Sequence, residues 1–171
     1  GYRNFLFHDD RFNGDGSVRQ DFLLNRETYT RTRILVYGKN FGYGSTREGA
    51  VYALYDFGIR VVIAPSFGDI FFSNALKNGL LPIVLPAPLH ATLMRIANED
   101  LAATVTIDLA SATMTTPDGA THTFPIDTFS QKMLLEGLDE LDYIRTQISK
   151  IEAHERARPA TIDTLHPNAA R

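Results

Sequence analysis

The stretch RILVYGKNFGYGSTREGAVYALYDFGIRVVIAP, residues 33–65, decides the fold. It opens on an apolar run, residues 33–37, rich in β-branched and aromatic residues, which predicts a buried strand. A glycine-bearing loop occupies residues 40–44. From Ser45 onward Ala50, Val51, Leu54 and Tyr55 fall on one helical stripe that stops at Gly58. RVVIAP, residues 60–65, reads as a second buried strand. The same alternation continues outward. SFGDIFFSNALKNG (66–79) predicts a helix with Phe67, Ile70 and Phe71 on one face. LLPIVLP (80–86) predicts a third strand whose prolines mark an edge or strand ends. APLHATLMRIANED (87–100) predicts a third helix. Such an alternation gives an α/β fold with parallel strands and right-handed crossovers.

The pattern then changes. Residues 102–126 alternate apolar with polar positions, and Pro117-Asp118-Gly119 is a hairpin turn signal, so an antiparallel piece follows the parallel one. Residues 130–157 read as helical with an interruption near Gly137, and 158–171 as a loose tail. Upstream, residues 1–31 are polar and turn-rich; FLF and DFLL are short strands or docked segments around the loop signal NGDGS.

The 171 residues suffice for one domain with a real core, and a net charge of −3 gives no support to nucleic-acid or membrane-surface binding. No apolar run reaches the ~20 residues of a membrane span. The first residues, from Gly1, lack a signal-peptide layout. Cysteine is absent, so this chain offers no disulfide, thiolate nucleophile or Cys-ligated metal. The five histidines are scattered without an H-x-x-x-H pair, which argues against a metal site.

The chemistry-bearing motif is Ser45-Thr46-Arg47-Glu48. One reading is structural: S-x-x-E is a capping box, and Ser66-Phe67-Gly68-Asp69 repeats it at the next helix. The other is a small-carboxylate site. A helix start favours anions, Arg47 adds a bidentate fork, and Gly42 and Gly44 allow close backbone approach. The loop also follows the carboxyl end of a parallel strand, where open α/β sheets hold ligands. It is neither a phosphate loop nor a dinucleotide fingerprint, and it lacks the G-x-S-x-G elbow of serine hydrolases. Lys77 and Asn78 read as helix-end residues, Asp69 as a helix-start carboxylate, His8 as a surface histidine, and Phe67, Phe71 and Phe72 as core.

The motifs resemble those of a known family. Asn40, Phe41, Gly42, Gly44, Ser45, Arg47 and Glu48, then Ser66, Phe67, Asp69, Ile70 and Phe71, then Lys77 through Ile83, match the small, swivelling subunit of 3-isopropylmalate dehydratase, of the aconitase superfamily. FLFHDDRF (5–12) and PIDTFSQKMLLEGLDEL (125–141) are also similar to family segments, so the likeness covers about residues 1–145. It implies a three-layer β/β/α swivelling domain over residues 1–157, its mixed sheet combining a parallel βαβαβ part and an antiparallel hairpin part. It also implies a hydro-lyase of leucine biosynthesis that interconverts 2-isopropylmalate and 3-isopropylmalate by dehydration and rehydration. A large partner subunit would carry a [4Fe-4S] cluster whose open iron binds the substrate hydroxyl and a carboxylate. This chain would bind no cofactor, be inactive alone and work in the cytoplasm. By the same likeness Ser45 is the general base, Arg47 holds a substrate carboxylate, and Thr46 and Gly44 line the substrate.

The sequence departs from the family pattern at Tyr43, where the family has Cys, at Thr46, where it has Ser, and at Gly49, where it has His. The family's first strand, its D-T-D-x-I-I-P segment and the substrate-choosing loop do not occur in these residues. Two alternatives stand beside the main reading. One is the small subunit of a paralogous hydro-lyase acting on methylmalate, dimethylmalate or homoaconitate. The other is a non-catalytic regulatory subunit that kept the fold.

Overall fold

The computed structural model describes residues 1–100 and 102–157; the expected tail, 158–171, lies outside the described residues. Three short strands, β1 (Ile34–Val36), β2 (Val61–Ala64) and β3 (Leu81–Val84), form a parallel sheet in the order β1-β2-β3. Val36 pairs with Ile63, and Ile63 with Ile83. Pro82 is tolerated because β3 is an edge of this sheet. A four-residue helix, α1 (His8–Arg11), precedes the sheet, and α2 (Gly49–Phe57) and α3 (Asp69–Lys77) connect its strands.

The sheet alternates its faces. Val62 and Ala64 pack with Val51, Leu54 and Phe57 of α2 and Phe71 and Ala75 of α3. Val61, Ile63, Leu81 and Ile83 pack on the other side with Leu93 of α4 (Ala87–Glu99), Met114 and Phe124. Met114 belongs to β5 of an antiparallel meander: β4 (Thr106–Asp108), β5 (Thr113–Thr115) and β6 (Thr121–Thr123), in the order β4-β5-β6. The parallel sheet therefore sits between a helical layer and a second sheet. Burial on both faces explains why its strands read as unbroken apolar runs.

The segment before β1 docks without forming strands. Leu6 and Leu24 join the core, and 3₁₀ turns at Arg3–Phe5, Leu23–Asn25 and Glu27–Tyr29 replace the strand option. Arg11 is buried here, without a carboxylate partner among the described residues. Its guanidinium donates to the carbonyls of Arg3 and Leu6 and to Asn25 Oδ1, and lies 5.1 Å from the Phe57 ring centroid. Desolvation, and secondarily Arg3, lower its pKa.

The helix expected over 130–157 is three helices. α5 (Thr128–Glu136) starts earlier, because the Asp127 side chain accepts from the Ser130 amide and caps it; Gly137 ends it. α6 (Glu140–Thr146) is capped by Asp139, and α7 (Ile148–Ala157) follows a break at Gln147. The chain divides into two compact units, Gly1–Gly137 and a second beginning at Leu138 that holds α6 and α7.

Several turns and caps rest on carboxylates. Hydrogen bonds from Ser130 hold the Asp127 carboxyl below the usual range; Ser17 does the same for Asp15, Ser111 for Asp108 and Thr116 for Asp118. A carboxyl depressed in the folded state contributes stability above its unfolded pKa of about 3.9 and loses it as pH falls through that range. Urea denaturation should therefore show stability flat near neutrality and falling as pH drops from about 5 towards 3. Asp127→Ala should lower stability by about 1 kcal/mol at pH 7 and flatten part of that decline. An undiminished acid slope in the variant would remove Asp127 from the list.

Candidate active site

The residues singled out by the sequence lie where β1 ends. Pairing with β2 continues past the strand: the Tyr37 amide donates to the Ile63 carbonyl at 2.9 Å. It resumes in the next loop, where Phe41 and Phe67 form an isolated parallel bridge. There the Phe41 amide donates to the Ser66 carbonyl at 3.0 Å, and the Gly68 amide to the Phe41 carbonyl at 2.9 Å. Ser66 Oγ accepts from the Asn40 amide at 2.8 Å and donates to Asn40 Oδ1 at 3.0 Å. Asn40 adopts φ 60°, a left-handed conformation that Asn takes more readily than most residues.

Gly42, at φ 71°, lies directly on the Phe71 ring; a Cβ built there would fall 2.2 Å from Phe71 Cγ. Gly68 meets the loop from the other side, its hypothetical Cβ 3.0 Å from Tyr43 Cα. Gly44 also has positive φ, 92°, but faces open space. The two glycines thus do different work. Gly42 lets the loop pack against α3, whereas Gly44 serves only the positive φ of its turn.

Both capping boxes are corrected by the structure. α2 begins at Gly49, not at Ser45, and α3 at Asp69, not at Ser66; neither has a side-chain cap. Glu48 does not reach back to Ser45. Its carboxylate accepts from the Tyr52 hydroxyl at 2.8 Å and from Asn78 Nδ2 at 3.4 Å, tying α2 to the end of α3 and raising the Tyr52 pKa. Ser66 joins Asn40 instead of its own helix, for which sequence spacing carried no signal.

Ser45 is therefore not occupied as a cap. It is partly buried, its amide donates to the Gly42 carbonyl at 3.3 Å, and among the described residues its hydroxyl accepts only a long 3.4 Å bond from the Arg47 amide. Thr46 and Arg47 are exposed. Among the described residues the Arg47 guanidinium forms no ion pair, and the amides of Gly44 and Thr46 find no acceptor. A hydroxyl, a free guanidinium and unpaired amides on one short loop can bind a carboxylate and stabilise an oxyanion.

The remaining candidates resolve plainly. Asp69 sits exposed in the first turn of α3, and Lys77 in its last. His8 is on the surface, 3.1 Å from Asp9. Phe71 is buried, its ring stacked on Phe67, which Phe72 meets edge-on. Tyr43 projects from the loop at 81% exposure, and Gly49 opens α2. A groove of about 410 Å³ lies elsewhere, lined by Phe72, Leu76, Pro82, Pro125, Ile126 and Asp127; it contains none of Gly44, Ser45, Thr46 and Arg47. Among the described residues no three of His, Asp and Glu converge as metal ligands.

Comparison with known proteins adds independent findings. A family model described as the aconitase C-terminal domain matches residues 2–88, and one described as LeuD_N matches residues 91–128. The chain is 45% identical over 152 residues to a protein of Roseobacter denitrificans, covering 89% of this chain and 76% of the relative. It is 48% identical over 153 residues to one of Paramagnetospirillum magneticum, covering 90% and 76%. Both relatives are named 3-isopropylmalate dehydratase small subunit. The crystal structure of a 3-isopropylmalate dehydratase (leuD) from Methanocaldococcus jannaschii superposes with a TM-score of 0.52 at 30% identity, over 71% of this chain and 68% of that one.

The two loop glycines separate by experiment. Gly44→Ala should cost only backbone strain, about 1–2 kcal/mol. Gly42→Ala should cost roughly 2–5 kcal/mol, because a clash with Phe71 adds to the strain. Equal losses in urea titrations would contradict the packing described for Gly42.

Proposed function

The chain belongs to the 3-isopropylmalate dehydratase small-subunit family of the aconitase superfamily, and from that premise we propose the chemistry its loop performs. The proposed reaction interconverts 2-isopropylmalate and 3-isopropylmalate in leucine biosynthesis. A proton leaves the carbon beside one carboxylate and hydroxide leaves the neighbouring carbon, giving an alkene diacid and water. Water then adds with the opposite placement of hydroxyl and hydrogen. Ser45 Oγ takes the first proton, Arg47 holds a substrate carboxylate, and Gly44 and Thr46 line the substrate through their amides.

A serine hydroxyl is a poor base in water. It acts as one only as an alkoxide stabilised by nearby donors in a site from which water is excluded. The loop supplies the donors; the described residues do not supply the enclosure. Exposed Tyr43, Thr46 and Arg47 leave the site open, and that openness is the observation that carries the proposal of a large partner subunit closing over it. The chain has no cysteine thiolate with which to hold an iron–sulfur cluster, so the cluster is assigned to that partner. No helix among the described residues is long and apolar enough to cross a membrane, and we place the reaction in the cytoplasm.

The test is reconstitution of the two-subunit enzyme under anaerobic conditions, assayed against isopropylmalates, methylmalate, dimethylmalate and homoaconitate. Turnover of isopropylmalate in preference to the others is expected. Ser45→Ala should reduce kcat by at least about 10²-fold with assembly intact, the scale of losing a positioned acid–base group. Arg47→Lys should raise KM more than it lowers kcat, since an ammonium keeps the charge but not the bidentate fork. A Ser45→Ala complex with wild-type turnover would favour a non-catalytic subunit instead.

A further inference from the structure

We propose that Asn40 and Ser66 are positioning residues for Ser45, acting as one unit that fixes the reactive loop against the start of α3. The proposal rests on the reading of Ser45 given above.

Ser45 has little of its own to hold it. Its amide bond to Gly42 is 3.3 Å long, and its hydroxyl is left with the weak contact from the Arg47 amide. The helix that would ordinarily anchor such a residue starts only at Gly49. What is held firmly lies just upstream. The Asn40 side chain and amide engage the Ser66 hydroxyl from both sides, at 3.0 and 2.8 Å. The backbone on either side of that pair is bonded across the same gap, Phe41 to Ser66 and Gly68 to Phe41. The Gly42 backbone then rests on Phe71 of α3.

From there two successive turn hydrogen bonds, from the Tyr43 amide to the Asn40 carbonyl at 3.1 Å and from the Ser45 amide to the Gly42 carbonyl at 3.3 Å, carry the chain to Ser45. A displacement at Asn40 is therefore passed on to Ser45. A misplacement of about 1 Å at a reacting group can cost on the order of 10²-fold in rate. Ser66 is an apt partner because its hydroxyl donates and accepts at once, so it satisfies both the Asn40 amide and its carboxamide oxygen. Asn40 contributes twice, through that oxygen and through its tolerance of positive φ.

The test uses the assembled two-subunit enzyme with isopropylmalate. Ser66→Ala removes the shared hydroxyl, and Ser66→Thr restores one. Asn40→Gly keeps the backbone conformation accessible but deletes the carboxamide. Ser66→Ala and Asn40→Gly should each lower kcat about 10- to 100-fold with KM within about 3-fold. Ser66→Thr should recover most of the rate, and the double variant should be no worse than the poorer single one, as for residues that act together. Added to Ser45→Ala, Ser66→Ala should change nothing further. Wild-type kcat in Ser66→Ala, or a loss that merely tracks the fraction of assembled complex and is not rescued by Thr, overturns the proposal. An active Ser45→Ala enzyme, by contrast, overturns the underlying assignment of Ser45.

Discussion

The loop after β1 and the loop after β2 are stitched to each other, and the rest of the site depends on that stitch. Parallel strands ordinarily diverge once their ladder ends. Here the ladder is carried past the sheet by the Tyr37 amide and taken up again between Phe41, Ser66 and Gly68, with Asn40 and Ser66 closing the gap. Register within the sheet, Val36 opposite Ile63, thereby fixes register in the loops. Every later position, from the glycine against Phe71 to the hydroxyl of Ser45, inherits its place from this pairing.

Much of the fold was legible in the sequence because burial on two faces leaves a strong local signature. Residues such as Val62 and Ile63 have opposite neighbours yet are equally dry, so the strands appear as uninterrupted apolar runs. The parallel part, the later antiparallel part and the break at Gly137 follow from such local cues. The helix starts were less legible. S-x-x-E is a capping signal only if the glutamate has nothing better to bind, and Glu48 finds Tyr52 and, thirty residues away, Asn78. Ser66 is likewise drawn off by Asn40, a partner 26 residues distant. Local spacing cannot anticipate competition from residues that tertiary structure brings in.

The candidate site shows the same division. Ser45 and Arg47 were visible as residue types in a suggestive order, and among the described residues neither side chain has a competing partner beyond the long contact from the Arg47 amide to Ser45 Oγ. Glu48, fourth in the same motif, has been diverted to joining α2 with α3. The aromatic at Tyr43 is almost wholly exposed, so it adds nothing to this chain's own core. What the sequence withheld is the support behind the loop, since Asn40 and Ser66 read as motif letters until their contact is seen.

Arg11 sets the terms on which the first residues stay attached. Its counterparts are peptide carbonyls, a carboxamide and an aromatic face, none of which carries a formal charge or titrates. Added salt has no ion pair there to screen, and acid has no base there to protonate. The Arg11 anchor on Phe57 is thus insulated from the acid that erodes the aspartate-held turns, one of which, at Asp15, lies in the same segment. Acid stress should accordingly loosen the Asp15 turn and the Tyr2 contact with Asp56 before the Arg11 anchor itself gives way.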